Sequence, residues 1–317
     1  MAQNLKILIG ADPELFLEKS GTYLSAHDLL PGTKRNPYPV PGGAIQVDGV
    51  AAEFNIDPAD NPQDFVLRCQ AMMTAIKGRL PEGVFLRPIP TATFKEEYFK
   101  SLPEDTRELG CNPDYNAWTG GINDRPDGEH TTMRTAAGHI HIGWTKDADV
   151  NDETHYEDCM AVIRQLDYFL GCYSLMWDKD DLRRSLYGKA GSFRPKSYGC
   201  EYRGISAAWL QSPDLMKWVY SAAQRGAHLL INKGHSAEAE FGSLARDTID
   251  SGDRTWWQKE CHPLYRLTQF TGMTLPSIPY EMLHPPKAEV KPVLKKRKAK
   301  VSFDLEARGD RLAIGEF

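Results

Sequence analysis

An α+β fold, with a mixed or antiparallel sheet covered by helices on one side, is predicted by three features of the sequence. First, three short apolar runs are each interrupted by two polar side chains spaced two residues apart: Asp12 and Glu14 in ILIGADPELFL, His139 and His141 in GHIHIGW, Glu201 and Arg203 in GCEYRGI. Successive strand residues point to opposite faces, so each pair projects from one face of its strand. Second, capped amphipathic segments alternate with these runs. Third, the connections between strands read as too long for hairpins. Acids, imidazoles and a guanidinium gathered on one sheet suit a divalent-metal and phosphate site better than a core.

NLKILIGAD reads as a strand that stops at Asp12, because Pro13 offers no amide hydrogen to a ladder. Residues 21 to 43, rich in Gly, Pro and Asn, read as a loop able to reach over a site. GAIQVDGVAAEFNI is expected as one strand and adds Asp48 and Glu53. These two differ in parity, so they share a face only if the chain bulges, which Gly49 permits. Asn61 and Pro62 start a helix as N-cap and first residue, with Phe65, Cys69, Met72, Met73, Ile76 and Leu80 at helical spacing.

The stretch from Arg107 to Arg134 is dense in turn residues and polar groups and reads as a functional loop region before the strand AGHIHIGW. A second helix is expected from Asp152 to about Trp177, with Tyr156, Cys159, Ile163, Leu166 and Leu170 on its apolar face. DKDDLRRSLYGKAGSFRPKSYGCEYR joins Lys and Arg to glycines, where backbone can approach a ligand and cations can hold phosphate oxygens. Ser212 and Pro213 start another amphipathic helix through about Leu230. From Pro285 the character changes: KAEVKPVLKKRKAK carries seven basic residues and one acid. The domain boundary is drawn there, giving a catalytic domain at 1–285 and a basic extension at 286–317.

At 317 residues the chain is long enough for a sizeable core, and 41% hydrophobic with 26% charged residues argues against disorder of the whole. A net charge of -5 gives no reason to expect nucleic acid as the main partner, except through the basic extension. No basic leader precedes an apolar stretch, and no run of about 18 apolar residues could span a bilayer. The chain reads as cytoplasmic, without a membrane partner. The six cysteines are scattered with no Cys-x-x-Cys pair, so buried free thiols are expected.

In this order, GADPELF, QVDGVAAEFN, GCNPDYNAW, GHIHIGW and RRSLYGKAGSFRPKSYGCEYR resemble the bacteriophage carboxylate-amine ligases of type 2, a branch of the glutamine synthetase superfamily. The resemblance covers roughly residues 5 to 210. It implies a glutamine synthetase-like fold, a curved, largely antiparallel sheet with helices packed on its outer face and Mg-ATP on the concave face. It implies ATP-dependent amide formation through an acyl phosphate, from a small-molecule or peptide carboxylate and an amine. By motif, Asp12, Glu14, Asp48, Glu53, His139, His141 and Glu201 would bind Mg2+ or Mn2+ around the ATP phosphates. Arg203, Arg194 and Arg184 would stabilise the reacting group, and Arg183, Lys189 and Arg203 would hold ATP phosphate oxygens. Asp12 departs from glutamate-cysteine ligases, which carry a glutamate there, so a metal at Asp12 would sit closer to the backbone. Superfamily members range from monomers to large rings, which leaves a homo-oligomer open.

Each assignment has an alternative. Asp12 before Pro13 also suits a turn. His139 and His141 also suit satisfied strand histidines, or a zinc hydrolase. Glu201 and Arg203 also suit a surface salt bridge, although their apolar flanks argue against it. Arg183 and Arg184 also suit a charged helix end, and Cys111 and Asn112 suit either a substrate pocket or a turn. A phosphotransferase of the same fold and a non-catalytic nucleotide-binding or assembly protein are the competing functions.

Overall fold

The computed structural model describes residues 4–107, 114–124, 126 and 131–278. Cys111, Asn112, the boundary at 285 and the basic extension lie outside the described residues. The strands are β1 (Leu8–Lys19), β2 (Thr22–Leu24), β3 (Tyr38–Val40), β4 (Gly43–Asp48), β5 (Ala51–Ile56), β6 (Phe85–Arg87), β7 (Thr91–Thr93), β8 (Tyr115–Asn116), β9 (Met133–Thr135), β10 (Gly138–Gly143), β11 (Ser192–Lys196) and β12 (Gly199–Tyr202). Ten of them form one sheet in the order β3-β4-β5-β1-β10-β12-β11-β8, with β2 and β6 also paired to β1. β7 and β9 form a separate pair, and every ladder between these strands is antiparallel.

Helices α1 (Pro62–Lys77), α2 (Glu153–Leu166) and α4 (Pro213–Lys233) pack on one face of this sheet, while α3 (Asp181–Leu186) precedes β11. Their starts follow the sequence signals: Asn61 accepts from the Asp64 amide, Asp152 from His155 and Ser212 from Leu215, with proline next in α1 and α4. Between sheet and helices lie Ile9, Ala11, Leu15, Phe54, Ile140, Ile142, Phe193 and Tyr202, all fully buried or nearly so. Phe65 of α1 meets Trp209 and Tyr220 with ring centroids 5.7 and 5.5 Å apart. Truncating such a ring to alanine costs about 3–5 kcal/mol. A second, smaller core of Phe16, Val50, Ala92, Phe94, Phe99 and Ala136 includes Phe16 of β1, whose parity matches Asp12 and Glu14 on the other face.

The structure corrects several expectations. β1 does not stop at Asp12. The Glu14 amide donates to Ala137 on the β10 side, so the missing donor of Pro13 faces the β5 side, where the ladder begins only at Glu14 opposite Glu53. GAIQVDGVAAEFNI is a hairpin, because Gly49 takes φ +54° and turns the chain between Asp48 and Ala51. Asp48 and Glu53 thus share a face through cross-strand pairing (Asp48 with Ala51, Gln46 with Glu53) and no bulge is needed. β1–β2, β3–β4 and β11–β12 are also short hairpins. Residues 21 to 43 contain β2 and β3 as well as loop.

The helix expected to reach Trp177 is α-helical to Leu166, widens into a π turn over Asp167–Gly171 and resumes at Cys172–Ser174. The widening accompanies an inward carboxylate: Asp167 accepts from Trp118 Nε1 at 2.6 Å and from the Tyr202 hydroxyl at 2.7 Å. Among the described cysteines, Cys69, Cys159, Cys172 and Cys200 are buried free thiols, whereas Cys261 is exposed. No described helix is long and apolar enough to cross a membrane.

Candidate active site

Strand parity and register assemble the polar face. On β1, Asp12 lies opposite His139 and Glu14 opposite Glu53, while on β10 His141 lies opposite Glu201, which in turn lies opposite Arg194 of β11. In an antiparallel pair, directly opposed residues share a face. The three sequence pairs therefore meet on the face away from the large helices, joined by Asp48 and Glu53 from the hairpin.

At one group of contacts, His139 Nδ1 is 3.3 Å from both Asp12 Oδ1 and Glu201 Oε1, and His141 Nε2 is 2.9 Å from Asp12 Oδ1. His141 Nδ1 is hydrogen-bonded to the Tyr198 hydroxyl, which fixes the ring. Arg203 donates to Glu201 and to His139 Nδ1, and its Nε is 2.6 Å from Asp114 Oδ1. Lys196 Nζ is 2.9 Å from Glu201 Oε2. Burial acts to raise Glu201, but Lys196, then Arg203 and both histidines, outweigh it and hold this carboxyl well below the usual range. Asp12 is likewise lowered: His141 and His139 together overcome burial and the repulsion from Glu201.

The second group is acid-rich. Glu14 accepts from the Ala137 amide at 2.8 Å, and Lys34 from the 21–43 segment reaches Asp48 at 2.6 Å. Burial, followed by Asp48 and Asp12, raises Glu53 well above its ordinary value, and burial with Asp48 also raises Glu14. Burial works to lower Lys34, yet Asp48, Glu53 and Glu14 carry it upward.

Glu14, Lys34, Asp48 and Asp114 line a cavity of about 260 Å³ together with Arg134, His139, Arg183, Tyr187 and Arg203. Arg183 is buried and donates to the carbonyls of Ala136 (3.0 Å), Ile205 (2.9 Å) and Gly204 (3.2 Å), so it braces the wall and adds positive charge without a free fork for phosphate. Arg194 sits beside the cavity, 3.5 Å from Asp114. Arg184 and Lys189 are not among the lining residues. Arg184 binds the Asp181 carboxylate and the Asp178 carbonyl, and Lys189 acts on Asp250, so the structure does not bring either to the cavity where the motif placed their phosphate and catalytic roles.

Three donors fit a divalent cation. Ligand atoms of Asp12, His141 and Glu201 lie within 4.8 Å of one another, and all three residues are buried. Asp12 Oδ1 and His141 Nε2 are buried without a hydrogen-bond partner, facing each other out of hydrogen-bond alignment, as two ligands of one ion would. Of the two histidines left open by the sequence, His141 belongs to this set, while His139 is engaged by Arg203. Sequence reasoning missed Lys34, Asp114, Arg134, Tyr187, Lys196 and Tyr198. Asp114 carried a signal by lying inside the third motif, and Tyr187, Lys196 and Tyr198 by lying inside the last.

The site gathers carboxylates, imidazoles and guanidinium groups on one face of the sheet. Residues 128–245 match the family model of phage phiEco32-like COOH.NH2 ligase-type 2, a family of carbon–nitrogen ligases by its name, in agreement with the motif resemblance over that part of the chain. No curated protein matches the chain. A crystal structure of a bifunctional glutathione synthetase from Pasteurella multocida is similar over 84% of this chain at 11% identity, with a TM-score of 0.44. The chain covers 45% of that protein's length.

Proposed function

We propose that the protein is an ATP-dependent carboxylate-amine ligase that forms an amide or peptide bond through an acyl phosphate, with a glutamine synthetase-like sheet as its platform. The observation that carries this reading is the convergence of Asp12, His141 and Glu201 beside a cavity lined by His139 and Arg203. A divalent ion such as Mg2+ held by that trio would neutralise charge on the ATP phosphates.

A carboxylate is a poor acyl donor because its leaving group would be oxide. Transfer of the γ-phosphoryl group to a substrate carboxylate oxygen gives an acyl phosphate and ADP. Attack by an amine on the acyl carbon then expels inorganic phosphate. Arg203, held by Asp114 and Glu201, would hold oxygens of the transferring group, and Arg194, 3.5 Å from the same Asp114, would add to the positive charge there. Glu14 lines the cavity with a carboxyl shifted upward by burial and by Asp48, which suits it to take the proton released from the attacking amine.

The test is ADP and phosphate release from the purified protein with ATP and Mg2+ against pooled amines and carboxylates, with mass spectrometry of the mixture. A product one water lighter than the sum of its parents is expected. ADP release that persists without any amine would replace this reading with a phosphotransferase.

A further inference from the structure

Tyr198 lies inside the last sequence motif, in the turn between β11 and β12, and the chemistry above makes no use of it. Lys196 pairs with Gly199, so Ser197 and Tyr198 form the turn itself. Its carbonyls are pinned one after another. That of Lys196 accepts from His155 Nε2 (2.8 Å), that of Ser197 from the Ala148 amide (2.9 Å), that of Tyr198 from the Trp144 and Thr145 amides (3.0 and 3.2 Å) and that of Gly199 from Cys159 Sγ (3.2 Å). Gly199, at φ +148°, permits the close approach, because a Cβ there would lie 2.1 Å from the Ile142 carbonyl oxygen and 2.7 Å from the Trp144 ring. The turn is thereby held against the end of β10, the strand that carries both histidines. From this turn the Tyr198 hydroxyl meets His141 Nδ1, and Lys196 at its edge reaches Glu201 Oε2 at 2.9 Å. Two of the three candidate metal donors are therefore approached from one pinned segment.

A neutral imidazole carries one N–H, and the hydrogen bond made by one ring nitrogen decides what the other can do. A cation cannot share Nε2 with a proton. We propose that Tyr198 is a positioning residue for the cation of the Asp12, His141 and Glu201 trio: its hydroxyl oxygen accepts from His141 Nδ1–H, which keeps the ring proton off Nε2 and leaves that lone pair for the ion. The inference rests on the reading of the trio as a metal centre. A hydroxyl oxygen can accept such a bond, and a phenyl ring of nearly the same size offers no lone pair for it. In Tyr198→Phe the tautomer able to bind the ion buries an Nδ1–H that has lost this acceptor, and the opposite tautomer puts a proton where the ion belongs. His141 is 2% exposed, so bulk water does not replace the lost oxygen. The aim of the ring depends on the same contact, since Nε2 stands 2.9 Å from Asp12 Oδ1.

Mn2+ titrated into the whole protein, with the free ion counted by its electron paramagnetic resonance signal, tests this in wild type, Tyr198→Phe, His141→Ala and the double variant. Tyr198→Phe is expected to bind the ion about 10- to 100-fold more weakly than wild type. The double variant should bind no more weakly than His141→Ala alone, because the tyrosine acts through the histidine, whereas a merely structural role would make the two losses add. Nitrogen-15 NMR of the His141 ring with Mg2+ bound should find the proton on Nδ1 in wild type. Undiminished affinity in Tyr198→Phe, additive losses, or a ring proton on Nε2 overturns the proposal and leaves the metal centre standing. A wild type that takes up no Mn2+, or a His141→Ala variant that binds it as tightly as wild type, overturns the metal centre and the role of Tyr198 together. If the His141→Ala variants do not fold, the affinity of Tyr198→Phe and the position of the ring proton decide.

Discussion

Asp12 Oδ1 and His141 Nε2 stand 2.9 Å apart on neighbouring strands, both buried, and neither has a hydrogen-bond partner among the described residues. The pair is satisfied when a cation sits between them, since a carboxylate and a neutral imidazole both offer lone pairs to it. Adding Mg2+ or Mn2+ to the purified protein is therefore expected to raise Tm, and a chelator to reverse the rise. Asp12→Asn or His141→Ala should remove most of the shift. A shift of full size in both variants would place the ion elsewhere.

Glu53 and Glu201 should part company when each is changed to glutamine. Glu201 is the counter-ion of Lys196 and Arg203, and removing its charge leaves two cations facing each other in the interior, a loss of about 3–5 kcal/mol. Glu53 is pushed toward its neutral form by burial and by Asp48 and Asp12, so Glu53→Gln is expected to leave the metal-free protein as stable or more so. Glu201→Gln should also reduce metal-dependent ADP release by about 100-fold or more on the ligase reading, since Glu201 is one of the three donors. Urea denaturation without metal separates the two, and equal destabilisation would contradict the electrostatics.

Asp167 gives stability a pH slope. Burial raises it to about 7 despite the bonds from Trp118 and Tyr202, whereas in the unfolded chain the carboxyl ionises near ~4. Between those values the folded state holds the extra proton, so this group's contribution is full below pH ~4 and is lost as pH rises through about 7. The loss is up to about 4 kcal/mol. The difference in unfolding free energy between wild type and Asp167→Asn, followed from pH ~4 to ~8, isolates this residue from the other carboxyls. A constant difference across the range would show that Asp167 stays ionised.

Gly138 precedes His139 where β10 passes under Trp209. A Cβ there would lie 2.3 Å from the Ser206 carbonyl oxygen and 2.4 Å from Trp209 Nε1. Neither is the far end of a flexible side chain, so Gly138→Ala must shift β10 and with it both histidines. Tm is expected to fall by several degrees together with the metal-induced shift. Normal values of both would mean the backbone yields at little cost.

Much of this site is legible in the sequence because a strand has a period of two. Asp12 with Glu14, and His139 with His141, fall on one face whatever their neighbours are, and Glu201 with Arg203 follows by the same rule. The error at Asp48 and Glu53 has a physical origin: a two-residue turn at Gly49 and Val50 lies inside an apolar run, and Val50 is as good a strand residue as those around it. Lys34 and Arg134 were hidden because each reaches the cavity from a segment whose path is set by tertiary packing. Arg184 resembled Arg183 in sequence, but the rotation of about 100° between successive residues of α3 sends the first toward Asp181 and the second toward the carbonyls behind the cavity.

β1 is central to the sheet although it comes first in the chain, and its partners β5, β6 and β10 come progressively later, with β12 completing the polar face. During synthesis Asp12 must wait for His139 and His141 of β10 before its charge is balanced, and for Glu201 of β12 before the three donors are together. Pairing over such long separations is slow to form, and its reward arrives only at closure. A growing chain halted before β12 therefore leaves β10 and its two histidines at an open edge, and the three donors Asp12, His141 and Glu201 come together late and all at once.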